Sequence, residues 1–408
     1  MGYGFRTGEG RSLQPSGKGP YPPFGRRSSR EDEGAAAVSQ RRASGDAGRA
    51  TIRDVAERAG VSVASVSRVL SGNYPVSEDL RRRVMKVVGD LDYVTNAHAR
   101  SLAGGGTPTV AILINNITGS AFAHVAKGVE GAATLRGWLS LVGTTGDDPE
   151  RELALVNLMR QQGVAAVVLL GGAYDYDEYQ LRMARFARSL DAAGSHLVLV
   201  GRPPLEGDVP ATTVDYDNEG GAYAMASHLL SAGHRRVLTL PGPAELTTAQ
   251  GRLRGAERAF AAYGVPFDPG MVRHGPYDDE HGYNAIETAL HETPDFTAVL
   301  AGTDVVAAGA MQALRAAGLR VPEDVSIVGY DDIPLASQLT PQLTTVHVPY
   351  EEMGRVALRA VADRREGGAG RRKGADGDHL VLGTHVVVRN SVQPPSRGGD
   401  AAREAVVS

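Results

Sequence analysis

From Val110 onward, short apolar runs alternate with helix-forming stretches, and this constrains the fold of the 408-residue chain more than any other feature. VAILI precedes a helix-forming stretch to Arg136, LSLVG one to Gln162 and AAVVLL one to Ala193, after which HLVLVG ends the set. A second set runs through RVLTL at 236–240, a helix after Thr248, a strand near Met271 to His274, a helix after Glu280, AVLAG, a helix to Ala317 and SIVGYDD. Strands joined through helices pair in parallel and must be covered on both faces. Two such sets, with TTVDYDNEGG between them, predict two doubly wound lobes and a cleft. Ligands of such sheets sit beyond the carboxyl ends of the strands.

Ahead of the alternation lies a different texture. In TIRDVAERAG, Ile52, Val55, Ala56 and Ala59 recur at helical spacing, with Thr51 as N-cap and Gly60 as stop. Ser62 caps a second helix ending at Gly72, in which Val66, Val69 and Leu70 share a face. A third helix follows Ser77 to about Asp92, with Leu80, Val84, Val87 or Val88, and Leu91 along its stripe. Residues 1–50 mix Gly, Pro, Ser and Arg without apolar periodicity and are expected to be disordered, as is the tail 396–408.

Composition removes several functions. With no cysteine there is neither a disulfide framework nor a thiolate nucleophile, which fits a reducing, cytoplasmic setting. No run is long and apolar enough for a membrane helix, and the N-terminus lacks an apolar leader core. The eleven histidines form no metal-ligand spacing, no Walker lysine motif or GxSxG elbow is present, and Gly104 to Gly106 precede a strand instead of following one. Neither catalytic residues, nor a metal, nor a cofactor is therefore expected. The net charge of −4 is uneven: residues 1–50 carry nine Arg or Lys against five Asp or Glu, and residues 51–103 eight against six. A basic front end on an acidic body suits contact with phosphate, though a merely solvated charge bias gives the same count.

The first two helices, joined by a tight turn at Gly60, have the spacing of a helix-turn-helix, whose second helix enters the major groove. Ser62, Val63, Ala64, Ser65, Ser67 and Arg68 are the side chains it offers. Arg68 could bind a guanine edge, Val63 or Ala64 a thymine methyl, and the serines phosphates. Three-helix modules of this size also serve protein contacts, and periodicity alone leaves that open.

A resemblance narrows the choice. The run TIRDVAERAGVSVASVSRVLSGNYPVSEDLRRRVMKVVGDLDYVTNAHARSLAGG resembles the DNA-binding segment of the LacI/GalR family of transcription regulators. The likeness continues through GHRR at 233–236, RLRG at 252–255, GLRVPEDVSIVGYDDIP at 318–334 and LTPQLTTVHVPYEEMG at 339–354, so that it spans about residues 51 to 395. It implies an N-terminal all-α helix-turn-helix domain with a hinge helix over 51–106, followed by an α/β two-lobed periplasmic-binding-protein-like domain over 107–395.

By the same resemblance, Asn96 to Ala103 form a hinge helix in the minor groove, with Leu102 as a wedge that unstacks a base step. Thr95 stands where relatives carry proline. Phe122, Arg202, Arg252 and Asp304 fall at positions implied to contact a small-molecule effector, a sugar or sugar derivative, and Tyr277, near another cleft strand, is a further candidate that could replace an aromatic face missing from the first loop. Asp217 with Asn218 matches a motif expected to organise its loop. The loop NNITGSAFAHV has Gly119, Ser120 and Ala121 where many relatives carry Asn-Pro and an aromatic residue. The partners implied are a palindromic operator in double-stranded DNA and a second copy of the chain as a homodimer, with no membrane. A transport solute-binding protein would share the two lobes but not the front module.

Overall fold

The computed structural model describes residues 50–71, 75–93, 107–146, 148–174, 177–292, 295–367 and 379–395. Asn96, Leu102, the N-terminal extension before residue 50 and the tail from 396 lie outside the described residues. Packing divides the chain into two units, Met1–Thr95 and Asn96–Ser408.

In the first unit, α1 (Ile52–Ala59) begins on a capping box: the Thr51 hydroxyl accepts from Asp54 N at 3.4 Å, and Thr51 N donates to the Asp54 carboxylate at 2.7 Å. It ends at Gly60, whose left-handed φ of 63° turns the chain sharply enough for Val61 N to reach Ala56 O at 3.0 Å. The helices α2 (Val63–Ser71) and α3 (Glu78–Asp90) follow, the latter capped by Ser77. Their joint core is Val55, Ala56, Ala59, Val66, Val69, Val84 and Val87. These are the stripes expected from the periodicity, and their small size lets three short helices approach closely.

The second unit holds two lobes. The first is a six-stranded, wholly parallel sheet in the order β10-β5-β4-β3-β1-β2, formed by β1 (Thr109–Ile114), β2 (Leu139–Thr144), β3 (Ala166–Leu170), β4 (His196–Val200), β5 (Ala211–Tyr216) and β10 (His379–Leu382). β3 and β4 are buried at every residue, as continuous apolar runs covered on both faces require. The helices α4 (Ser120–Thr134), α5 (Pro149–Gln161) and α6 (Asp177–Ala192) link the first four strands.

The second lobe is built on β6 (Val237–Leu240), β7 (Ala298–Ala301) and β8 (Ser326–Val328), also parallel, with α7 (Asn218–Ser231), α8 (Thr247–Ala262), α9 (Asp279–Glu292), α10 (Asp304–Ala316) and the short α11 (Pro334–Gln338) around them. The strand expected near Met271 to His274 is reduced to a 3-10 turn, Pro269–Met271, and a single parallel bridge from Val272 to Thr239. Pro269 and Gly270 cannot hold an extended ladder there.

After the second lobe the chain goes back. β9 (Thr345–His347) leads into α12 (Tyr350–Glu366), which packs on α4 in the first lobe; β10 joins the first sheet, and β11 (His385–Val387) pairs antiparallel with β9. The α4–α12 contact is intimate at Gly128 and Gly354: a methyl group at Gly128 would meet the Glu351 carbonyl oxygen, and one at Gly354 the Val125 carbonyl oxygen. Three connections therefore join the lobes, at 217, at 348–349 and at 383–384.

Candidate functional site

In the helix-turn-helix unit, Ser62 is spent at the start of α2: its hydroxyl accepts from Ser65 N at 3.1 Å and lies 2.9 Å from Ser65 Oγ. Val66 and Val69 point into the core, whereas Val63, Ala64, Ser67 and Arg68 are exposed and Ser65 is half-buried. One helix thus presents small side chains, hydroxyls and a guanidinium on the face its core leaves open. The exposed Arg81, Arg82, Arg83 and Lys86 on α3 and Arg53 and Arg58 on α1 add positive charge to the same unit.

The second unit has a cavity of about 510 Å³ between its lobes. Its walls follow from topology. In the first sheet the order reverses between β1 and β3, and the loops after those strands supply Asn115, Asn116, Gly171 and Gly172 to the lining. The loop after β4 adds Arg202 and the end of β5 adds Tyr216, and the second lobe contributes Thr248, Arg252, Tyr277, Thr303 and Asp331. Phe122, Arg202, Arg252 and Tyr277, expected at a cleft, are thereby brought together.

Two rings are seated on glycine backbone. Phe122, in the first turn of α4, lies so close to Gly171 that a Cβ there would stand 3.0 Å from the ring; Tyr277 covers Gly242 in the same way and donates its hydroxyl to Pro241 O at 3.1 Å. One aromatic face thus comes from each lobe, a surface suited to apolar faces of a ligand ring.

Both arginines are engaged. Arg202 is 5% exposed and forms a two-pronged pair with Glu152, at 3.0 and 2.7 Å, and also donates to Tyr179 Oη and Leu170 O. Burial pushes the Glu152 carboxyl up, but the charge and hydrogen bonds of Arg202 outweigh it and hold the group below the usual range. Arg252 donates to Asn218, Gly302 O, Tyr216 Oη and Asp331, and its guanidinium lies 3.8 Å from the Tyr330 ring centre. Burial raises the Asp331 carboxyl against the pull of Arg252 and the Tyr350 hydroxyl.

Asp304, also expected at the cleft, is not brought to the wall. It is fully buried, outside the lining, with one carboxylate oxygen accepting from Thr345 Oγ1 at 2.5 Å and the other from Ile333 N at 2.9 Å. Being the first residue of α10, it points under the site, and the preceding Thr303 reaches the wall. Asp217 and Asn218 are organisers, as expected: Asp217 caps α7 through Gly220 N, and Asn218 ties Arg252 to Thr248 O. Sequence reading missed Glu152, Tyr179, Tyr216, Asp331 and Tyr350. Tyr216, Asp331 and Tyr350 left a sign, standing in the TTVDYDNEGG, GYDD and VHVPYEEMG runs; Glu152 and Tyr179 left none.

The lobes also touch at the cleft mouth. Tyr174 and Leu246 form an antiparallel bridge, Thr247 N donates to Ala173 O at 3.1 Å, and Ala173 N donates to the Thr247 hydroxyl at 3.2 Å.

Comparisons with known proteins agree with this architecture. Residues 51–96 match the family described as bacterial regulatory proteins, lacI family, and residues 226–392 match the periplasmic binding protein-like domain. The chain is 35% identical over 348 residues to the HTH-type transcriptional regulator CelR of Thermobifida fusca, covering 84% of this chain and 98% of that one. It is 32% identical over 344 residues to the HTH-type transcriptional regulator DegA of Bacillus subtilis, with 84% and 98% covered. Among solved structures, the lac repressor dimer bound to operator and the anti-inducer ONPF matches with a TM-score of 0.73 at 25% identity, over 85% of this chain and all of that one. A CelR–cellobiose complex matches with a TM-score of 0.61 at 33% identity, over 84% and 100%. No helix among the described residues is long and apolar enough to cross a membrane. With the helix-turn-helix segment at the front of the two lobes, the chain is a regulator and not a transport component, and it belongs to the LacI family of bacterial transcriptional regulators.

Proposed function

We propose that the protein is a cytoplasmic, non-catalytic repressor that binds a palindromic operator as a dimer and is controlled by a sugar or sugar derivative held between its lobes. The observation that carries the effector half is the cleft itself: two aromatic faces and many hydroxyl, amide and carboxylate groups around one cavity at the strand ends. Sugars are recognised by such a mixture of flat apolar faces and hydrogen-bonding groups. The CelR relative solved with cellobiose supports a carbohydrate.

The DNA half rests on α2. Ser62, Val63, Ala64, Ser65, Ser67 and Arg68 form its reading surface, with Asn96 and Leu102 entering the minor groove as a hinge within the 51–106 module. Half-sites related by a two-fold axis require a two-fold protein. The edge strand β2, with Leu139, Leu141 and Val142 exposed, offers apolar surface for the partner copy, in keeping with the lac repressor relative solved as a dimer. Effector-dependent closure of the lobes changes operator affinity by favouring one lobe arrangement over the other.

Fluorescence anisotropy with duplexes drawn from the region upstream of the protein's own coding sequence tests the DNA half. Binding is expected to weaken steeply with salt, to be abolished by Arg68→Ala and to be reduced by Leu102→Ala. Equal affinity for a scrambled duplex overturns it. A sugar panel read by thermal shift tests the effector half, with Tyr277→Ala expected to remove the shift.

A further inference from the structure

The cleft contains its own counter-ions, and their arrangement bears on which effectors it can accept. Among the described residues, Arg202 and Arg252 are the cationic residues of the lining, which holds neither Lys nor His. Each guanidinium is paired inside the wall: Arg202 with Glu152 at 2.7 Å, Arg252 with Asp331 at 3.2 Å.

For Arg202 the engagement extends to the individual donors. A guanidinium has five N–H groups. The four on Nη1 and Nη2 match the four acceptors that surround them: two Glu152 oxygens, the Tyr179 hydroxyl and Leu170 O. Among the described residues, Nε alone finds no partner. A bidentate grip on a phosphate or carboxylate, for which Arg is otherwise suited, is already occupied by Glu152.

The remaining charges have the opposite sign. Asp148, Glu245 and Asp278 also line the cavity, and none of them is in an ion pair among the described residues. Among the described residues, two guanidiniums thus face five carboxylates around one cavity. An anion entering it would leave water for like-charged surroundings, a penalty that selects against it.

We infer that Glu152 is a specificity-determining residue: by occupying the Arg202 fork from within the wall, it restricts the cleft to uncharged or cationic effectors and excludes phosphorylated and acidic sugars. The inference rests on the reading of this cleft as the effector site, and it goes further by assigning the effector's charge and the residue that sets it. Removing the Glu152 charge releases the fork toward the cavity. Lowering the rim charge at Glu245 acts in the same direction without touching the buried pair.

Isothermal titration of the full chain with inorganic phosphate, glucose 6-phosphate and glucose tests this, using the wild type, Glu152→Gln, Glu152→Asp and Glu245→Gln. The wild type is expected to bind neither anion measurably. Glu152→Gln should bind both at least tenfold more tightly than the wild type, Glu152→Asp should behave as the wild type, and Glu245→Gln should gain a few-fold. Wild-type affinity for glucose 6-phosphate at or above that for glucose overturns the inference. So does a Glu152→Gln protein with a native circular dichroism spectrum and no gain for either anion. Should Glu152→Gln not fold, an unchanged anion affinity in Glu245→Gln overturns it. Indifference of the wild type to every neutral sugar, with phosphate still gained on Glu152→Gln, counts against the carbohydrate reading and leaves the anion exclusion standing.

Discussion

Thr247 and Ala173 hold each other across the mouth of the cleft, each residue donating its backbone N–H to the other: Thr247 N to Ala173 O at 3.1 Å, Ala173 N to the Thr247 hydroxyl at 3.2 Å. One residue belongs to the segment after β3 in the first lobe, the other to the first turn of α8 in the second. The pair ties the two walls together apart from the three covalent connections.

Thr247→Val keeps the shape and removes the acceptor for Ala173 N. A hydrogen bond of this kind contributes about 0.5–1.5 kcal/mol net. Hydrogen exchange at the Ala173 amide is expected to accelerate by about two- to tenfold, the factor that corresponds to that energy. Unchanged exchange there would mean that the lobes are held by other contacts.

Asp304→Ala reports on support beneath the site. It strips the acceptor from the buried Ile333 N–H and from the Thr345 hydroxyl. A buried donor left unsatisfied costs about 1–3 kcal/mol, so urea unfolding should move to lower concentration by an amount in that range. Loss of effector response without loss of stability would return Asp304 to the cleft wall.

Gly128→Ala tests the α4–α12 contact. A methyl group has no room against the Glu351 carbonyl, and forcing it in costs about 1–3 kcal/mol through backbone displacement. Gly131→Ala on the same helix meets nothing within 4 Å and is expected to be neutral or slightly stabilising in the same thermal melt.

Two buried groups give opposite pH slopes. Burial pushes the Asp215 carboxyl up to about 6 from an ordinary 3.8. Between those values the folded chain keeps a proton that the unfolded chain has released, so this group removes stability as pH rises and its effect is complete above 6. Burial, aided by the Arg364 charge, pushes His196 down to about 4 from 6.5. Here the unfolded chain takes a proton that the folded chain refuses, and stability is lost as pH falls from 6.5 toward 4. In urea titrations from pH 4 to 7, Asp215→Asn should make stability climb more steeply with pH, and His196→Gln should flatten or reverse the climb. Identical slopes in all three proteins would contradict both assignments.

The periodic features were legible in the sequence. Val55, Ala56 and Ala59 declared a helix and its buried face, and VAILI and AAVVLL declared parallel strands, because period and burial are local properties. Phe122, Arg202 and Arg252 were placed at one cleft through the family resemblance, and Tyr277 through its nearness to a cleft strand. Glu152 was not legible: it sits on α5, a helix that reads as ordinary amphipathic surface, and becomes part of the wall only when β2 and β4 bring α5 and Arg202 together. Asp304 shows the converse, since one residue's rotation at the start of α10 separates the cleft wall, at Thr303, from the interior. The return of α12 and β10 was also hidden, for no local pattern says which of two similar sheets a late strand will join.

That return has a consequence for how the protein comes into being. The first sheet, begun at Thr109, acquires its edge strand only from residues 379–382, and its α4 face is covered only by Tyr350–Glu366. During synthesis, which proceeds at about 5–20 residues per second, the earliest lobe must wait unfinished while the whole second lobe emerges. A nascent chain that has not yet supplied residues 350–382 would expose the Gly128 face and the flank of β5, so the first wall of the cleft is finished only after the second lobe has been made.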